Sequence, residues 1–307
     1  MLQYNYPIVG ELYNTDFFID GDILEEMLAL GDKVTADLVR ILDGLLQSPQ
    51  SHTQDREWFE SFYLSHAFYL LVELKAKKAF PIVLEMAKLD FEDLDFVFGE
   101  GLHDDFAEAV VKLGKDNLDE LLAFLAHPKT TLSQKDILVK GVCQMALFYT
   151  DKRTKIINFF ESHLQSFIKE PQKADQLFGD DSNNLSSNAY LAYLIGSLLD
   201  IDAQELEKSI FKCYELGLVD EDILALEDVS FEQVQLIFFE SIFDRYADLK
   251  TSQIAETSPY NPEAEEIARR KAKYLKDEEE EKIWKKLIQA DDDKTQQVIK
   301  KKKIFRE

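Results

Sequence analysis

The chain has 307 residues, of which 46% are hydrophobic and 31% charged, and its formal net charge is −24. Low glycine, abundant charge and this much apolar material suit one large or two ordinary all-helical domains. No run reaches 18 apolar residues, so no membrane span is expected, and an acidic body repels phosphate backbones, which disfavours direct nucleic-acid binding.

In chain order, residues 1–19 are aromatic and irregular. Asp20 or Asp22 then begins a helix carrying Ile23, Leu24, Met27, Leu28 and Leu30, ended by Gly31. Thr35 is a candidate cap for a second helix with Leu38, Ile41, Leu42, Leu45 and Leu46, and the short connection implies an antiparallel pair. After the polar connector Ser48–Asp55, Phe59 to Leu125 forms the organising stretch. Phe59, Phe62, Tyr63, Ala67, Leu70, Leu71 and Leu74 recur in three- and four-residue steps, the helical period. A basic turn at Lys75–Lys78 precedes Pro81, placed in the first turn of a short helix, where its missing N–H costs nothing. Leu94, Phe96, Val97 and Phe98 read as a connector before Gly99 and Gly101. Asp104 or Asp105 is expected to cap the next helix, with Phe106, Ala109, Val110 and Leu113 inward and Gly114 at its end. Asp116 or Asn117 caps another, stopped at His127-Pro128 because the residue before proline is pushed out of the α region.

Beyond Pro128, Ser133 is expected to cap a helix with Ile137, Leu138, Val142, Met145, Leu147 and Phe148. Asp151 opens one with Ile156, Ile157, Phe160, Leu164, Phe167 and Ile168. Glu170–Ser187 reads as a long loop. Helices follow from about Asn188 to Leu199 and, capped by Asp202, through Leu206, Ile210, Cys213 and Tyr214 to Gly217. Asp220 starts a short element, and Phe231–Phe243 is a further apolar helix. Residues 251–262 form a linker marked by Ser258-Pro259 and Asn261-Pro262, which bounds a helical-repeat domain over 1–250 and a charged tail over 263–307, helical or disordered. The tail holds 14 Lys+Arg against 12 Asp+Glu, which leaves 21 basic and 47 acidic residues, net −26, for residues 1–262.

Successive helix pairs predict an all-α fold, a HEAT-like helical repeat or α-solenoid, whose stacked pairs bury a continuous core and leave a concave face for partners. Cys143 and Cys213 lie 70 residues apart in helical patterns. With no C-x-x-C pair, a zinc ribbon is excluded and a reducing compartment expected. The N-terminus lacks a basic and then apolar leader, so the cytoplasm is the expected location.

The N-terminal helix pair, His66–Leu102 (HAFYLLVELKAKKAFPIVLEMAKLDFEDLDFVFGEGL), Asp151–Leu164 and Asp200–Asp220 carry a resemblance. Over roughly residues 5–230 the order of these blocks resembles the bacterial domain of unknown function 1186 (DUF1186). The most specific feature is D-x-V-x-G at Asp95–Gly99, at a fixed distance after the Pro81 helix. The resemblance implies an all-helical, HEAT-like fold and assigns no activity. Some relatives carry a C-terminal cysteine-rich zinc motif of the kind found on SecA. The tail of this chain has no cysteine, so zinc-dependent roles do not carry over.

Among five histidines, His103 beside Asp104 and Asp105 is the candidate metal or acid–base group, weighed against a plain helix cap with a solvated neighbour. His66 is read as a hydrogen-bonded core histidine and His127 as a helix stop. Asp90, Glu92, Asp93 and Asp95 resemble calcium ligands in type but lack the sixth-position glycine and the closing glutamate of a calcium loop. Asp180 and Asp181 sit in the long loop and rank no higher. Gly99 and Gly101 lack the third glycine and preceding strand of a dinucleotide fingerprint. Ser65-His66 is no nucleophile–base pair, since helix neighbours point about 100° apart.

No residue is assigned as catalytic or cofactor-binding, and no cofactor is expected. The leading expectation is a non-enzymatic scaffold or adaptor that binds another protein through its concave face, recognisable by an exposed apolar patch there. A metal-assisted hydrolase centred on His103 is the alternative. A third is nucleic-acid, ribosome or anionic-lipid contact through the tail's basic islands Ile267–Lys276 and Lys300–Lys303, weighed against a solvated helix because DEEEE and DDD divide them.

Overall fold

The computed structural model describes residues 4–15, 18–53, 61–171, 185–231, 234 and 241–246. Phe59, the loop acids Asp180 and Asp181, most of the Phe231–Phe243 segment, the linker and the 263–307 tail lie outside them. The chain divides into two compact units, Met1–Phe239 and Glu240–Glu307. In the second, the described residues include a helical turn at 242–246.

The described residues of the first unit are helices and connecting turns without a strand. A 3-10 segment, Pro7–Asn14, leads to α1 (Gly21–Leu30), α2 (Thr35–Gln47), α3 (Gln50–Thr53), α4 (Phe62–Glu73), α5 (Phe80–Met86) and α6 (Phe91–Phe98). Then come α7 (Leu102–Leu113), α8 (Leu118–Ala126), α9 (Leu132–Phe148), α10 (Thr150–Lys169), α11 (Ser187–Leu199) and α12 (Glu207–Glu215). The punctuation follows local chemistry. Gly31, Gly99 and Gly217 adopt positive φ at helix ends, the conformation glycine reaches without penalty. His127 is extended at the end of α8, ahead of Pro128.

Several expected starts shift. The connector at Leu94–Phe98 is helix α6: Asp90 holds the N-cap position, Glu92 and Asp93 occupy the positive end of the dipole, and Leu94, Val97 and Phe98 form its buried stripe. Asp104 and Asp105 do not cap α7, which starts earlier, at Leu102, with Gly101 ahead of it. Helix α9 is capped by Thr131 rather than Ser133. Thr131 accepts from the Gln134 amide, and the Gln134 side chain accepts from the Thr131 amide, a reciprocal capping box. Asp202 does not cap α12. It takes a positive φ in the turn before it.

Helix α9 is the centre of the first unit. It packs against α7, α8, α10 and α11, and most of its residues are buried, apolar ones on every side. Gly141 permits the close approach of α7: a Cβ there would sit 2.6 Å from Val110 Cβ and 2.9 Å from Ala107 Cα. On the far side of α7, the rings of Phe68, Phe98 and Phe106 pack edge-on and tilted with centroids 4.9–5.5 Å apart. Each ring pair is worth roughly 0.5–1.5 kcal/mol beyond its buried area. This cluster ties α4 and α6 to α7 and so fixes the start of α7, where His103 stands.

Candidate functional site

Helices α7 and α9 lie side by side, and their polar residues near the α7 N-terminus meet across the seam. His103 donates from Nε2 to Asp136 Oδ2 at 2.9 Å. The Asp136 side chain is 11% exposed and that of His103 37%. One residue further along α7 and one turn further along α9, Asp104 pairs with Lys140. Asp105 turns inward, is fully buried, and accepts a 2.8 Å hydrogen bond from the Tyr69 hydroxyl. His103, Asp104 and Asp105 thus diverge to three different partners, as consecutive helical positions must. Among the described residues, no group of three or more His, Cys, Asp or Glu side chains is placed to hold one metal ion.

The His103–Asp136 pair opens onto a cleft of about 680 Å³. Phe91 and His103 form one wall, and Ser133, Asp136 and Lys140 of α9 another. Helix α11 supplies the facing side through Ala192, Tyr193, Gly196, Ser197 and the following Asp200, positions three and four apart that share one helix face. Ile223 and Leu224 close the rim. Tyr193 is 44% exposed and Ile223 40%, although the intervening α11 residues Leu191, Leu194, Ile195 and Leu198 are buried. Gly196 leaves the floor open: a Cβ added there meets nothing within 4 Å.

Two anchoring arrangements hold the rim in place. Arg153 of α10 donates to the Ile201 and Asp202 carbonyls at 3.0 and 2.9 Å and forks onto both carboxylate oxygens of Glu205. Burial works against ionisation of Glu205, but these bonds hold its carboxyl below its usual pKa. The turn that follows Asp200 is therefore clamped. The Tyr214 hydroxyl donates to the Leu224 carbonyl at 2.9 Å, and the Asp222 amide donates to Asp220 Oδ1, which secures the turn bearing Ile223.

The cleft is electronegative. Asp136 and Asp200 line it, with Asp104 bonded to the lining Lys140, against that one ammonium and one imidazole, His103. Lys140 is bonded to Asp104 and His103 to Asp136, while Asp200 makes no ion pair within 4 Å among the described residues. Burial raises the Asp200 carboxyl above its ordinary pKa; Lys140 opposes the rise and Asp104 adds to it.

Behind the cleft lies a polar cluster that sequence reading did not single out. His163 of α10 stands 3.1 Å from the Tyr190 hydroxyl of α11, both buried. Burial, helped by the nearby Lys135 charge, pushes the His163 pKa down to about 3. Lys135 of α9 is itself buried, and desolvation brings its pKa to about 8. A lysine within the apolar run of α9 was the available signal.

The remaining candidates have local partners. His66 is buried on α4, against Phe62. His52 Nδ1 lies 2.6 Å from the Tyr63 hydroxyl, and His127 Nδ1 accepts from the Lys129 amide. Ser65 donates to the Phe62 carbonyl of its own helix rather than engaging His66. Asp90, Glu92, Asp93 and Asp95 lie at or within α6 rather than in an ion-binding loop, and Asp93 accepts from Thr53. Gly99 ends α6, so the D-x-V-x-G signature is a helix C-terminus.

No helix among the described residues is long and apolar enough to cross a membrane. Comparison with known proteins finds no match among curated proteins or solved structures. A family model does match, over residues 8–254, and the chain belongs to that family, described as Protein of unknown function (DUF1186).

Proposed function

We propose that this chain is a protein-binding helical module, a HEAT-like scaffold or adaptor whose recognition surface is the cleft between α7, α9 and α11. The observation that carries this reading is the exposure of Tyr193 and Ile223 on the walls of a preformed cleft. Large apolar side chains held half in water by clamped elements are the anatomy of a recognition site. The occupant is an extended segment of a partner protein that presents large apolar side chains to Tyr193, Ile223 and Phe91. The net negative charge of the cleft disfavours a nucleic acid there.

A photo-reactive phenylalanine at position 193 tests this in cells. It is expected to capture a partner protein, and the capture is expected to vanish when Gly196→Phe fills the cleft floor. The same group at Phe211, an exposed apolar position on α12, serves as the control. Equal capture from both positions, capture insensitive to Gly196→Phe, or no capture at all overturns the reading.

A further inference from the structure

We infer that the cleft recognises a guanidinium or ammonium side chain of the partner segment, an arginine or lysine flanked by large apolar residues, with Asp200 as its counter-charge. This rests on the protein-binding reading above and adds the chemistry of the residue recognised.

Two lining carboxylates, Asp136 and Asp200, and Asp104 bonded to the lining Lys140 stand against that one lysine and one histidine. The net charge there is −2 with neutral His103 and −1 with protonated His103. Lys140 is bonded to Asp104 and His103 to Asp136, which leaves Asp200 as the lining carboxylate with no ion pair within 4 Å among the described residues, Lys140 acting on it only from further away. A carboxylate partly withdrawn from water, beside another carboxylate, is stabilised in its charged form by an incoming cation.

The geometry supports the same ligand. Tyr193, Gly196 and Asp200 lie at three- and four-residue steps along the α11 face. A long, thin side chain laid along that face passes over the tyrosine ring and the open space at Gly196 before its charged head reaches Asp200. The ring face offers the aliphatic stem an apolar surface, and the missing Cβ at residue 196 leaves room for it. Arginine offers the planar fork that matches a carboxylate. The Arg153 clamp on residues 201, 202 and 205 holds the turn behind Asp200, so the counter-charge is already positioned before the ligand arrives.

The test is calorimetric titration of the full-length chain with the blocked peptide acetyl-Leu-Arg-Leu-amide and with the same peptide carrying citrulline, the neutral isostere of arginine. The arginine peptide is expected to bind at least ten-fold more tightly, and its advantage to shrink with added salt. Asp200→Asn, which preserves shape and breaks no ion pair, is expected to abolish the preference. Gly196→Phe is expected to abolish binding of both peptides. Equal affinity for arginine and citrulline, a preference that survives Asp200→Asn, or failure of both peptides to bind overturns the inference. The photo-capture at position 193 reports separately. Capture of a partner without an arginine preference leaves the protein-binding reading standing and removes the cation pocket. An arginine preference without capture keeps the pocket and removes the protein partner.

Discussion

His103 on α7 and Asp136 on α9 are 33 residues apart in the chain and 2.9 Å apart in space. Their bond crosses the seam between the central helix and its closest neighbour, at the mouth of the cleft. Removing the imidazole leaves a nearly buried carboxylate short of a donor. His103→Ala is therefore expected to lower stability by about 1–3 kcal/mol. A double-mutant cycle with Asp136→Ala, read by chemical denaturation, should return a coupling of at least about 0.5 kcal/mol. Additive effects would show that the pair contributes nothing.

Two glycines on neighbouring helices should respond oppositely to the same methyl group. At Gly141 a Cβ collides with Val110 and Ala107, so Gly141→Ala must force α7 and α9 apart and is expected to cost about 1–3 kcal/mol. At Gly196 a Cβ enters open space, and Gly196→Ala is expected to stabilise by up to about 1 kcal/mol through helix propensity alone. Urea midpoints of the two variants, compared with wild type, decide the matter.

His163 makes the fold sensitive to acid. Its folded pKa is about 3 against 6.5 for the free side chain, so below pH 6.5 the unfolded chain takes up a proton that the folded chain refuses. Its contribution to stability is complete above about pH 6.5 and is lost as pH falls toward 3. By pH 5 the loss is about 2 kcal/mol. His163→Gln keeps a polar group beside Tyr190 and does not titrate. It should lose correspondingly less stability than wild type between pH 7.5 and 5 in parallel thermal melts. Identical acid slopes would mean that folding leaves the His163 pKa near 6.5.

Arg153 holds the turn behind Asp200 with donors that lysine cannot reproduce. Arg153→Lys keeps the charge but loses the fork onto Glu205 and the paired bonds to the carbonyls of residues 201 and 202. A loss of about 1–2 kcal/mol is expected. Amide exchange should accelerate at residues 201–206 and stay unchanged in α7. Uniform acceleration across the first unit would contradict a local clamp.

The all-helical class and most of its punctuation were readable along the chain, because they depend on neighbours a few residues away. Gly31, Gly217 and His127-Pro128 end helices for reasons contained in their own backbones. The three- and four-residue apolar steps of α2, α4, α7 and α10 need no distant partner to declare themselves. Where local signals compete, the structure departs from them. Helix α6 is two turns long and looked like a connector between charges, and α9 starts from the Thr131–Gln134 box rather than from Ser133.

The site is another matter. His103 drew attention beside Asp104 and Asp105, yet its partner is Asp136, brought alongside only when Gly141 lets α7 settle onto α9. Asp200, Tyr193 and Ile223 carry no local signature. They become a cleft because α11 and the 220–224 turn are set facing α9, and that placement depends on core packing and on the Arg153 and Tyr214 hydrogen bonds. Periodicity along a helix determines which side is buried. Which residues of two helices meet depends on how closely and at what angle their faces pack, and that is a property of the assembled core.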